Sequence, residues 1–256
     1  LKLYTSYSVA ESEKKALHTL PSANLIDGAN KQFDDGLFAA IEVATFRGSI
    51  AALPAIPQLV EDIATKLPSE SQARPFLGAA LLLTGREFEL TPVELAERAR
   101  LLREFHDNRA RSKPIGFYNW TEELQIIWKT YRFLQTEHDT QATQIAQDIA
   151  AVLESDEALR EAYSTVTGLY GSLSNPPACL PIDALIGARQ KTSREIAEAT
   201  GTRRSSVSFL PPSTSRETEL FNSLFPRGLP SGANLLAELI AAVRSGKVDL
   251  EPSDGE

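Results

Sequence analysis

Residues 91–105 have the sequence TPVELAERARLLREF, which carries the signals of an amphipathic helix. Thr91 and Glu94 have the spacing of a capping box, and Pro92 is suited to a first helical turn. The apolar residues that follow recur at steps of three and four, at Leu95, Ala99, Leu102 and Phe105. We therefore predict a helix that begins after Thr91 and buries one face.

The same apolar pattern recurs along most of the chain. Segments with helical spacing lie near 9–20, 33–44, 57–67, 76–84, 119–134, 145–153, 159–170, 217–225 and 233–244. Strand signals are limited to a weak alternation at 1–9. The pattern predicts an all-α, multi-helical globular fold of about eight to ten helices, packed as antiparallel neighbours through short loops, with little or no sheet.

Composition excludes several classes of protein. The 256 residues are 42% hydrophobic and 23% charged, with a formal net charge of -8. The longest apolar run, at 77–83, is far shorter than the roughly 20 residues of a membrane helix, so we expect no membrane span. An acidic balance disfavours general nucleic-acid binding. The single Cys179 excludes an internal disulfide and a thiolate-cluster metal site. We expect a soluble, acidic protein.

Amino-acid composition and helical patterning divide the chain into two parts. We predict a main helical domain over residues 1–170, and a less regular helical segment over 171–256 that packs on it. The second part begins with a Gly/Ser/Pro-rich stretch and closes in an acidic tail. Because the chain lacks methionine and starts at Leu1, we expect either that a leader was removed or that the chain is trimmed from a longer protein.

An aromatic cluster follows a basic loop in the middle of the chain. Six aromatic side chains lie between 117 and 133, and the loop before them carries Arg109, Arg111 and Lys113. Aromatic and cationic side chains together are suited to holding a ligand or a protein partner. The candidate binding residues are Lys113, Phe117, Tyr118 and Trp120. The alternative is that the same aromatics belong to the core.

Two histidines are each followed by an aspartate. They form the pairs His106–Asp107 and His138–Asp139, and a carboxylate that orients an imidazole favours general-base chemistry. These four residues are the candidates for catalysis. The alternative is local helix-end capping. Neither a histidine pair with metal-ligand spacing nor a Gly-rich phosphate loop is present, so we expect no metal and no cofactor.

Residues 193–210 resemble the helix-turn-helix of DNA-binding proteins. Ala197 and Gly201 match the small residue and the turn glycine of that motif, and Ile196, Val207 and Leu210 match its packing positions. The resemblance implies that the start of the second helix faces the DNA groove. The residues placed there are Arg203, Arg204, Ser205 and Ser206. Two prolines, at 211 and 212, shorten this helix, and the rest of the chain is acidic.

The combined pattern favours a non-catalytic helical binding or scaffold module whose partner is a protein or a small molecule. This interpretation is based on the amphipathic helices and on the lack of a sequence motif for catalysis. Two alternatives remain: a DNA-binding protein that uses residues 193–210, and an enzyme with a His/carboxylate site around His106 and His138. We expect the module to expose apolar surface around residues 114–133.

Overall fold

A computed structural model describes residues 23–51, 53–139, 144–175, 177–187, 206–213, 220–221, 224–225, 232 and 234–248. Several predictions fall on other residues and lie outside this description. They are the strand at 1–9, the helix at 9–20, most of the helix at 217–225, the motif residues Arg203, Arg204 and Ser205, and the acidic tail.

The predicted all-α fold is confirmed, since nine α-helices have both ends among the described residues. They are α1 (Ala23–Arg47), α2 (Ile56–Lys66), α3 (Ala73–Leu83), α4 (Pro92–Asp107), α5 (Arg109–Ser112), α6 (Glu122–Leu134), α7 (Gln144–Ser155), α8 (Glu157–Leu173) and α9 (Leu235–Arg244). Short 3-10 helices span Gly116–Asn119 and Ile182–Leu185. None of the described helices is long and apolar enough to cross a membrane.

The chain forms two compact units, Leu1–Leu134 and Gln135–Glu256. The first contains helices α1 to α6. The second contains α7 to α9 and a small sheet of β1 (His138–Asp139), β2 (Leu180–Pro181) and β3 (Ser206–Ser208). The boundary that the sequence suggests near residue 170 falls within α8, and a division there stays a prediction.

The core of the first unit forms around α3, which is apolar on nearly every side and is largely buried. Phe76 of α3 stacks on Phe133 of α6, with ring centroids 5.1 Å apart. Phe105 of α4 meets Phe133 edge-on at 5.5 Å. Gly78 lets the following loop approach closely, since a Cβ there would lie 2.9 Å from the Leu90 side chain.

The predicted capping box of α4 is confirmed and extends to a neighbouring helix. The Glu94 backbone N–H donates to Thr91 Oγ1 at 3.3 Å, and the Thr91 N–H donates to Glu94 Oε2 at 2.7 Å. Arg74 Nε of α3 donates to the second oxygen, Glu94 Oε1, at 2.8 Å. Burial raises the pKa of Glu94, but the Thr91 hydrogen bonds and Arg74 together lower it below its usual value.

We predict that Glu94→Gln lowers the free energy of unfolding by about 1–2 kcal/mol at neutral pH, because it removes the charge that Arg74 and the cap hold. Since the folded pKa is lowered, this stabilisation is present above the unfolded pKa and is lost as the pH falls through the folded value. Urea unfolding at pH 7 and below about pH 4 measures the difference.

The difference in the free energy of unfolding between wild type and Glu94→Gln should be smaller at the lower pH. Glu70→Gln, at an exposed position, is the control and should stay within about 0.5 kcal/mol of wild type at both values. If this difference in the free energy of unfolding does not change with pH, the charge of Glu94 is not the source of the stabilisation.

A buried tyrosine connects helix, sheet and 3-10 turn in the second unit. The hydroxyl of Tyr163 in α8 donates to the Phe209 carbonyl at 2.8 Å and accepts from the Ile182 N–H at 2.9 Å. Burial raises its pKa well above the usual value, so the hydroxyl keeps its proton and its role as donor. Strand β3 lies between the other two, antiparallel to β1 and parallel to β2.

We predict that Tyr163→Phe destabilises the protein by about 1–3 kcal/mol, because a buried amide and a buried carbonyl lose their partner. Thermal unfolding followed by far-ultraviolet circular dichroism measures the loss. Tyr170→Phe removes the same hydroxyl from a partly exposed position of α8 and should cost less. Equal effects of the two changes would show that the Tyr163 hydrogen bonds do not contribute.

Candidate functional site

The loop between α4 and α6 is fastened to helix α6 by main-chain carbonyls. Trp128 Nε1 donates to the Arg111 carbonyl at 3.0 Å, and Arg111 Nη2 donates to the Arg132 carbonyl at 2.7 Å. Within the loop, Asn119 Nδ2 donates to the Pro114 carbonyl at 3.0 Å and closes the turn. These bonds hold residues 111–119 in one conformation, although the segment lies at the surface.

The aromatic side chains of the predicted site do come together. Phe117 stacks on Tyr118 with centroids 4.3 Å apart, and Phe117 meets Trp120 edge-on at 6.1 Å. Tyr118 packs edge-on against Trp128 at 4.9 Å, and its hydroxyl donates to Glu42 Oε1 of α1 at 2.9 Å. Tyr118 therefore fastens the turn to both α1 and α6.

The cluster divides into a buried and an exposed part. Tyr131 and Phe133 are buried, as the core interpretation expects, while Trp120 keeps 53% of its surface exposed and Ile115 keeps 59%. Phe117 lies partly buried between the two groups. Large apolar side chains exposed on a fixed turn are typical of contact surfaces. We call Ile115, Phe117 and Trp120 the turn patch.

Lys113 borders an open polar cavity. In the sequence it comes two residues before Ile115 of the turn patch. The cavity has a volume of about 420 Å³ and is lined by His106, Asp107, Arg109, Ser112 and Lys113. The two cations, Arg109 and Lys113, outnumber the single carboxylate of Asp107, so the charged side chains of the lining sum to a net positive charge. The Ser112 hydroxyl donates to the His106 carbonyl at 3.1 Å and fixes the cavity wall.

The two histidine–aspartate pairs lie in different local structures. His106 and Asp107 are both exposed at the end of α4, where neighbouring side chains diverge by about 100°. His138 lies in β1 rather than on a helix. It is buried while Asp139 is exposed, because successive side chains of a strand point to opposite faces. The catalytic role of these residues stays a prediction.

The helix-turn-helix prediction is wrong at its C-terminal end. Ser206, expected in the second helix, lies in β3 and donates its hydroxyl to Glu137 Oε2 at 2.8 Å. Val207 and Leu210 are buried, but β3 pairs with strands on both sides, and this pairing overrides the helical spacing of the sequence. The segment 193–205 lies outside the described residues, so DNA binding stays a prediction.

Cys179 is fully buried, with its Sγ 3.2 Å from Ser208 Oγ. Ser208 and His138 lie on opposite faces of the sheet, because His138 is opposite Val207 and successive residues alternate. Among the described residues, no group of three or more His, Cys, Asp or Glu side chains is placed to hold a metal ion.

No protein-family model, curated protein or solved structure matches the chain. The turn patch and the cavity bordered by Lys113 are therefore the features that bear on function.

Sequence reasoning missed two residues that shape this site. Ile115 lies within the loop, but a single aliphatic residue is a weaker sequence signal for a binding surface than the aromatic residues that follow it. Glu42 is an acid close to the apolar stripe of α1, and it is only 9% exposed. An acid in such a position is a usable signal, because a buried carboxylate needs a donor.

We predict that Tyr118→Phe lowers the free energy of unfolding by about 1–3 kcal/mol, because the buried Glu42 carboxylate loses this donor. Trp120→Phe, a change at an exposed ring, should stay within about 0.5 kcal/mol of wild type. Urea unfolding monitored by far-ultraviolet circular dichroism tests both. A neutral Tyr118→Phe would mean that the contact does not fasten the turn.

Proposed function

We propose that the chain is a non-catalytic helical binding module that takes a protein or peptide partner on the turn patch. The observation that carries the proposal is the exposure of Ile115 and Trp120 on a turn fastened by hydrogen bonds. A fixed turn loses little conformational entropy on binding, and tryptophan is enriched among residues that dominate interface energies.

The net positive charge of the polar cavity favours a partner that carries acidic side chains. Arg109 and Lys113 are both exposed, and Lys113 is two residues from Ile115. Cations beside an apolar patch favour a partner segment that combines apolar anchors with acidic side chains. The partner that fits is an apolar, acidic peptide segment of another protein.

A displayed library of random peptides, selected on the whole chain, tests the proposal. We expect the selected peptides to combine aromatic or aliphatic residues with Asp or Glu. The double variant Ile115→Ala/Trp120→Ala should bind them at least about tenfold more weakly, as expected when central apolar anchors are removed. Fluorescence anisotropy of labelled peptides measures the affinity.

The matched control is Val93→Ala/Leu95→Ala, which truncates two exposed apolar side chains of α4, away from the turn patch in sequence. It should bind the selected peptides as wild type does. Peptides that bind the Ile115/Trp120 variant unchanged, or a selection that enriches no peptide family, would overturn the proposal. Circular dichroism verifies that all the variants are folded.

A further inference from the structure

Helix α1 presents an apolar face on the side away from the core. The C-terminal half of the helix buries Ala39, Glu42 and Thr45. Phe33 and Leu37 lie on the opposite side, because successive helical residues turn by about 100°. Phe33 keeps 71% of its surface exposed and Leu37 keeps 51%. Large apolar side chains exposed together on one helix face are typical of a surface that binds another element.

The face has the spacing of a coiled-coil seam. Apolar or small residues recur over residues 26–43 at alternating steps of three and four, as in a heptad repeat. We call them the α1 seam, and they are Ile26, Ala29, Phe33, Gly36, Ala40 and Val43. The charged residues of the same stretch all lie off the seam, at Asp27, Lys31, Asp34, Asp35 and Glu42. A second copy of the seam therefore brings no charge against it.

The α1 seam is complementary in size to its own antiparallel copy. The register that places Phe33 of one copy on Gly36 of the other is reciprocal, as a two-fold dimer requires. A Cβ at Gly36 would meet nothing within 4 Å, so the space above this residue is open to the phenyl ring. The other pairs in the same register are Ala29 with Ala40 and Ile26 with Val43. Each large side chain thus meets a residue that leaves room for it.

The seam leads into a groove that suits the far end of a second α1. The groove has a volume of about 440 Å³ and lies between the C-terminal half of α1 and the start of α6, with Ala44 and Leu124 among its lining residues. In the antiparallel register, Leu25 of the second copy falls opposite Ala44. Leu25 keeps 64% of its surface exposed, so each groove of the dimer receives an exposed apolar side chain.

We propose that the chain forms an antiparallel homodimer through the α1 seam. The paired stretch, residues 26–43, is about 27 Å long at 1.5 Å per residue. Two helices in contact over this length bury on the order of 1,000 Å² in total, near the lower bound of specific interfaces. The dimer is therefore in reversible equilibrium with the monomer, with a Kd on the order of 10–100 µM. A different protein is the competing occupant, and the reciprocal pairing of sizes favours the second copy.

Gly36→Glu tests the dimer in the full chain by sedimentation equilibrium. Position 36 is open in the monomer, and glutamate is a better helix former than glycine, so the variant should fold as wild type does. Its carboxylate falls where Phe33 of the second copy packs, so we expect the dimer Kd to rise at least about tenfold.

The matched control is Gly28→Glu, which makes the same change in the same helix. A Cβ at Gly28 also meets nothing within 4 Å, but this position lies off the seam. Gly28→Glu should therefore dimerise as wild type does. Far-ultraviolet circular dichroism verifies that the two variants and wild type have the same helix content.

Cysteine cross-linking tests the direction of the pair. Ala29→Cys and Ala40→Cys, both at exposed positions, are made as separate chains with tags of different size, and the native Cys179 is buried. We expect the mixed chains to form a disulfide between positions 29 and 40, and neither variant to form one with itself. Identical positions lie about 16 Å apart along an antiparallel pair in this register, whereas a disulfide spans at most about 7 Å between Cα atoms.

Three results would overturn the proposal. The first is a wild-type chain that stays monomeric up to about 300 µM, where mass action favours a dimer of the expected affinity. The second is a Gly28→Glu chain whose dimer is weakened as much as that of Gly36→Glu. The third is cross-linking between identical variants that is as efficient as cross-linking between the two different ones, which would exclude the antiparallel register.

Discussion

The packing of Phe133 against both Phe76 and Phe105 is the contact on which the first unit depends. It joins α6 to α3 and to α4 through ring centroids 5.1 and 5.5 Å apart. Helices α4 and α6 are also the two ends of the loop that carries the turn patch. The three rings therefore fix the distance that this loop spans.

The conformation of this loop depends on a few directional hydrogen bonds. The side chains of Trp128 and Arg111 donate to main-chain carbonyls, and the Tyr118 hydroxyl donates to the buried carboxylate of Glu42. Buried polar groups are costly without partners, so each contact disfavours other loop conformations. In this conformation Ile115 and Trp120 lie at the surface.

The turn patch is an exposed apolar surface of the first unit, with Ile115 59% and Trp120 53% exposed. The turn patch lies in the middle of the chain, beside a cavity with net positive charge. An apolar surface with a charged border resembles a protein interface more than a core surface, because a core contact excludes unpaired charge.

The sequence by itself determined the all-α fold, the capping box at Thr91 and Glu94, and the clustering of Phe117, Tyr118 and Trp120. These features depend on local spacing, which the periodicity of a helix fixes within a few residues. Only the tertiary structure decided that His138 and Ser206 lie in strands, and which aromatics are buried. Strand pairing and burial depend on residues distant in the chain, such as Val207 for His138 and Glu42 for Tyr118, and a single sequence contains no signal that pairs them.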